Sequence, residues 1–165
     1  MAPIPIGLCG KSSGMASAFS QKLFPEYEIP TSPSSFANPS FFKVVHHFQS
    51  TAEVHKQLPA LLKGEPIKPV SGVGTNADTP STQIPLAMVV GRGFSESELE
   101  EMRKLIGADT LPWLYPDPLK SMASTLSGPF LLDAIAKRTK ACLGSHGVAK
   151  GKDVTREEMN KVWYF

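Results

Sequence analysis

Lys11, Ser12, Ser13, His47, Gln49, Arg92, Tyr115 and Asp117 are the side chains whose types and places in the sequence could do chemistry together. A histidine titrates near neutral pH, so His47, or its neighbour His46, is the candidate general acid or base; Asp117 would orient it or act itself. Lys11 and Arg92 could hold an anionic or enolate oxygen while charge develops on it. Ser12, Ser13, Gln49 and Tyr115 carry the hydroxyl and amide groups that would position a substrate. Adjacent histidines on a strand point to opposite faces, so one reaches such a site and the other packs beneath a helix. Each residue also has an ordinary structural alternative. A strand histidine is commonly satisfied in the core, an aspartate between Pro116 and Pro118 shapes a turn, and loop lysines and arginines are commonly solvated.

These residues belong together only if the elements place them at one edge. The opening run Ile4-Pro-Ile-Gly-Leu-Cys9 breaks into Gly10-Lys-Ser-Ser-Gly14 and then becomes helical over 14–24, with Met15, Phe19 and Leu23 on one face. Such a turn aims backbone N–H groups and the positive end of a helix at a ligand. Phe42–Phe48 reads as a second strand, and 51–63 as a helix with Thr51 as N-cap and Gly64 as its stop. Ile84–Val90, apolar on both faces, reads as a central parallel strand. Ser95 and Glu98 form a capping box for a helix over 96–106, and Leu111–Tyr115 reads as a fourth strand. A helix over 129–143 and a capping box at Thr155-Arg-Glu-Glu158 follow, before the aromatic tail Trp163-Tyr-Phe165. Three adjacent aromatics at the end of a chain call for a partner surface.

Strand–helix alternation implies a parallel sheet with helices on both faces. The expected fold is α/β, a three-layer Rossmann-like or flavodoxin-like domain with a mainly parallel four-stranded sheet of order 2-1-3-4. Residues 1–143 form the domain and 144–165 an extension with a short helix. In such sheets ligands bind outside the carboxyl ends of the strands, at the switch between strands 1 and 3. The loops there are 10–13, 49–51, 91–95 and 116–128. The Pro-rich segments 25–41 and 65–83 run from helix to strand, and so belong at the opposite edge, as arms or packing segments.

The phosphate motifs fail on spacing. A dinucleotide fingerprint needs G-x-G-x-x-G and an acidic residue after the second strand; the chain offers Gly7-Leu-Cys-Gly10-Lys-Ser-Ser-Gly14, then Phe48-Gln49-Ser50. Gly10-Lys11-Ser12 copies the end of a P-loop, but the motif's first glycine would fall at Pro5. No bound cofactor is expected. His46, His47, His55 and His146 lack the ligand spacing of a zinc site, so no metal is expected either. Cys9, at a strand end beside a helix N-terminus, is a buried thiol or, less simply, a nucleophile.

Composition narrows the partners. Seventeen basic and fifteen acidic side chains are interspersed along 165 residues, giving +2 overall and no basic stripe for nucleic acid. The longest apolar runs fall far short of a membrane span. Two distant cysteines without a C-x-x-C spacing fit reduced thiols in a cytoplasmic protein.

Several segments carry a family likeness: Cys9-Gly-Lys11, Leu23-Phe-Pro-Glu-Tyr-Glu28, Leu58-Pro-Ala-Leu-Leu-Lys-Gly64, Met88-Val-Val-Gly-Arg-Gly-Phe94 and Pro112-Trp-Leu-Tyr-Pro-Asp117. Up to about residue 143 the chain resembles small fungal Rossmann-like (NAD(P)-binding-like) proteins associated with secondary-metabolite biosynthesis. The resemblance implies a fold and a metabolic setting, and it assigns no catalytic residue. The expected function is a cofactor-independent enzyme of isomerase, cyclase or dehydratase type, using acid/base chemistry on a small hydrophobic natural-product intermediate and working as a homodimer. The alternative is a non-catalytic or degenerate nucleotide-binding protein that contacts another chain through its Pro-rich loops and aromatic tail.

Overall fold

In the computed structural model, residues 4–23, 42–78, 82–91, 93–105, 111–117, 129–145 and 162–165 are described. Their strands, β1 (Ile4–Cys9), β2 (Phe42–Phe48), β3 (Met88–Val90), β4 (Trp113–Tyr115) and β5 (Val162–Tyr164), form one sheet of order β2-β1-β3-β4-β5. Every neighbouring pair is parallel. The expected four-stranded sheet is thereby corrected to five. The added strand is the aromatic tail, which pairs with β4 through Trp113↔Val162, Leu114↔Trp163 and Tyr115↔Tyr164. Trp163 and Phe165 are buried within the chain itself, and only Tyr164 of the three is exposed.

Strand alternation sorts the core into two layers. Ile6, Leu8, Val44, Val89, Leu114 and Trp163 face one side, against Ala16, Phe19 and Leu23 of α1 (Ser13–Leu23) and Ala136 and Leu143 of α4 (Pro129–Ser145). Cys9, Phe48, Met88, Val90 and Trp113 face the other, against Val54, Leu58 and Leu61 of α2 (Thr51–Leu62) and Leu99 and Met102 of α3 (Glu96–Arg103). Burying both faces is what the near-continuous apolar strands require.

Helix ends follow their local chemistry. Ser12 caps α1, accepting the Met15 N–H at 3.3 Å. The α2 cap is Ser50, one residue before the expected Thr51, and its side chain accepts from the Glu53 N–H. Gly64, at φ +79°, ends that helix in the left-handed region that glycine enters without strain. The Ser95–Glu98 capping box forms in both directions.

One irregularity decides where the histidines go. The β1–β2 register shifts between Ile6 and Gly7, so that Val44 pairs with Ile6 but His46 with Gly7, leaving Val45 as the extra residue of a bulge. Without it, Val44 and His46 would share a face. With it, His46 turns toward α2 and His47 joins Leu8 and Val89 on the α1 side. The segment after α2 packs back on this bulge. Gly74, at φ +109°, lies so close that a Cβ there would stand 2.6 Å from the Val45 carbonyl oxygen.

The Pro-rich segment 25–41, the loop 118–128 and the Thr155–Glu158 capping box lie outside the described residues, as does Arg92. No helix among the described residues is long and apolar enough to cross a membrane.

Candidate functional site

A cavity of about 220 Å³ opens at the carboxyl ends of β1 and β3. Parallel neighbours on opposite sides of β1 send their connections to opposite faces, and the space between those connections is left unfilled. Leu8 and Val89 floor the cavity, Met15, Ala16 and Phe19 of α1 wall it, and Ile135 of α4, Pro116 and Phe165 close the far side. Its polar rim is the turn Gly10-Lys11-Ser12 with Gly91 and Gly93. Met15, expected on the buried face of α1 with Phe19 and Leu23, is instead 54% exposed at this rim. Such a lining favours a small organic molecule through apolar contact, with a few polar groups setting its orientation.

The turn is held from three directions. The Lys11 ammonium donates to a Glu98 carboxylate oxygen at 3.0 Å and stands 5.1 Å from the Phe94 ring centroid. Glu98 uses its other oxygen to accept the Ser95 N–H at 2.9 Å. These contacts, the Ser95 amide foremost and then Lys11, hold its carboxyl below the ordinary range. From the β2 side, His47 Nε2–H donates to the Gly10 carbonyl at 2.7 Å. A carbonyl only accepts, so the proton sits on Nε2, and Nδ1 of the neutral ring takes the Ser71 hydroxyl at 2.7 Å. Ser71 in turn accepts the Val73 N–H at 3.2 Å.

The predicted site residues are thus distributed. Lys11 and Ser12 line the cavity, and the Ser12 hydroxyl is engaged as the α1 cap. Ser13 opens α1 one residue beyond. His47 lies in the same cross-strand row as Leu8 and Val89 but is fully buried, with its ring turned to Gly10 and Ser71. Its pKa is lowered by burial, against the opposing pull of the Gly10 hydrogen bond. His46 packs beneath α2, its Nε2 2.8 Å from the Gln57 side-chain oxygen and its ring 4.7 Å from that of Phe48. Gln49 precedes the α2 cap, and its backbone N–H donates to Glu53 at 2.8 Å. Tyr115 faces the α3 side, where its hydroxyl donates to the Phe94 carbonyl at 2.7 Å and burial raises its pKa. Asp117 is partly buried, and its backbone N–H donates to the Phe165 carbonyl at 2.7 Å.

The Cys9 thiol belongs to the opposite core layer, and burial pushes its pKa far up, so it stays protonated. Among the described residues, no group of three His, Cys, Asp or Glu side chains could hold a metal ion. Glu98 and Ser71, which hold the turn, and Ile135 and Phe165, which complete the cavity, were not among the site residues expected from the sequence, where Glu98 figured only as a helix-capping residue. The aromatic tail was the one local signal for Phe165.

Fold and site together define a parallel α/β domain with a ligand-sized apolar cavity at the switch between its first and third strands. The chain is 31% identical over 164 residues to kojic acid related protein 6 of Aspergillus oryzae, an alignment covering 98% of this chain and 87% of that protein. It belongs to the family of that fungal protein. No family model matches the sequence. No solved structure matches it either.

Proposed function

We propose that this chain binds a small, mainly apolar organic intermediate of fungal secondary metabolism in the cavity between the Gly10-Lys11-Ser12 turn, α1 and Phe165. The observation that carries the reading is the cavity itself, apolar in its floor and walls and placed where doubly wound sheets take their ligands. Its strand order, 2-1-3-4-5, is the flavodoxin-like one and supports a Rossmann-like fold. The metabolic setting rests on the relative's name, which ties that protein to kojic acid.

An acid/base conversion of isomerase, cyclase or dehydratase type is the catalytic form of this proposal. Proton transfer needs a titratable group within hydrogen-bond reach of the ligand. Of the described lining residues, Lys11 and Cys9 carry the side chains able to exchange a proton, and Cys9 is held protonated. Lys11 is therefore the group on which catalysis would turn, with His47 fixing the turn that carries it.

The test is native mass spectrometry of the protein after incubation with an extract of fungal culture, beside the variant Ala16→Leu. Ala16 is 3% exposed and lines the cavity, so the larger side chain occupies ligand space. Retention of a small molecule by the wild type and its loss from Ala16→Leu are expected. Equal retention by both, or by neither, overturns the reading. Chemical change of the retained compound over time marks an enzyme, and its recovery unchanged marks a binding protein.

A further inference from the structure

We propose that the ligand carries one anionic oxygen head, a carboxylate or an ionised enol, on its apolar body, and that Lys11 takes this head by exchanging it for Glu98. The inference rests on the binding reading above and adds the chemical class and orientation of the ligand.

Three observations carry it. Lys11 is the only charged side chain among the described lining residues of an otherwise apolar cavity, so a charged ligand group finds one cationic side chain there. The Lys11 stem rises over Gly93, another lining residue, where a Cβ would meet its Cγ at 3.3 Å, so the stem itself stands at the rim. The ion pair that now occupies the ammonium is also easily exchanged. Its side chains are 49% and 31% exposed, and pairs so open to water contribute little to stability. Glu98 loses little when Lys11 leaves, because its second oxygen stays on the Ser95 N–H as part of the α3 capping box. Phe94 beneath the ammonium gives the cation a further contact during the exchange. Lys11 is thus parked on a carboxylate that holds it ready without depending on it.

The experiment compares 2-naphthoate with 2-naphthamide, which share an apolar body and differ in the charge of the head. Dissociation constants are measured for the wild type, Lys11→Met, Glu98→Gln and Ala16→Leu, with circular dichroism confirming the fold and Lys11→Gln as a second variant at the cation. The wild type should prefer the naphthoate. Lys11→Met should weaken it by about tenfold, the scale of one partly exposed charge-assisted hydrogen bond, and leave the amide unchanged. Glu98→Gln removes the competing carboxylate and should tighten the naphthoate alone. If acid and amide bind alike in the wild type and in both Lys11 variants, yet Ala16→Leu abolishes both, the head-group inference falls and the cavity reading stands. If neither compound binds, both fall.

Discussion

His47 Nε2–H donates to the carbonyl oxygen of Gly10 at 2.7 Å, tying the end of β2 to the turn that rims the cavity. The bond is short, its donor is fully buried, and the acceptor-only carbonyl fixes the tautomer, leaving Nδ1 on the far side of the ring to take the Ser71 hydroxyl. A carbonyl held this way sets the direction of the next peptide, and hence of Lys11. His47→Ala should cost about 1–3 kcal/mol by leaving the Gly10 carbonyl without its donor. It should also weaken 2-naphthoate binding more than 2-naphthamide binding, because the position of Lys11 is what is lost. Urea unfolding and paired titrations check this; an unchanged midpoint with unchanged affinities would show that the bond positions nothing.

Acid should destabilise the protein through the same strand. Both histidine pKa values are lowered from 6.5, chiefly by burial. For His46 the Gln57 hydrogen bond and Glu53 oppose the shift while His47 adds to it; for His47 the Gly10 bond and Glu53 oppose it. The sign follows from linkage. Below 6.5 the unfolded chain binds protons that the folded chain does not, so stability is intact above that pH and declines as pH falls toward the folded pKa values. His46 contributes because its Nδ1 is buried without a hydrogen-bond partner and favours the neutral ring. Melting temperature measured from pH 8 down to pH 5 should fall below about 6.5. His47→Gln should flatten that slope, and an equally steep decline in His47→Gln would remove His47 from the account.

The elements that position the site were legible where local chemistry fixes them. The β1–α1 turn, the Ser95–Glu98 box and the Gly64 stop each follow from a few adjacent residues, and the order of the first four strands follows from their alternation with helices. The fifth strand was not legible because Val162 to Tyr164 follows Asn160-Lys161 and has no apolar run leading into it, as the equally short β3 and β4 have, and an aromatic end reads equally as a docking tail. Which histidine faces the cavity side was hidden for another reason. Alternation along Phe42–Phe48 assumes an unbroken ladder, and the bulge at Val45 reverses it halfway. Tyr115, on a regular stretch of strand, takes the α3 face by parity with Cys9 and Val90, a relation that only the inter-strand register supplies.

The bulge itself depends on Gly74. Its φ of +109° disfavours a side chain, and a Cβ would stand 2.6 Å from the Val45 carbonyl oxygen and 2.9 Å from the His46 nitrogen, both backbone atoms with little freedom to move. Gly74→Ala should therefore cost about 1–3 kcal/mol. Gly72→Ala is the matched control, since its φ of +73° is also positive but nothing lies within 4 Å of its Cβ position. Equal losses in the two variants would mean that backbone conformation alone is responsible, and that the packing of this segment on β2 adds nothing.

The tail offers a test between core and interface. Trp163 is 4% exposed, pairs with Leu114 in the sheet and packs in the same layer as Phe19, Ala136 and Leu143. Phe165 continues the strand, its N–H on the Tyr115 carbonyl at 3.2 Å and its carbonyl taking the Asp117 N–H, and its ring closes the cavity. A strand so placed is part of the fold, so Trp163→Ala should cost about 3–5 kcal/mol, the range for truncating a buried large aromatic. Phe165→Ala should enlarge the cavity and weaken 2-naphthoate and 2-naphthamide alike, because it removes apolar wall and leaves Lys11 in place. Light scattering on both variants separates this from a tail that joins subunits: a smaller particle at unchanged melting temperature would make Trp163 an interface residue. A lower melting temperature at unchanged mass is the outcome that its burial within the chain requires.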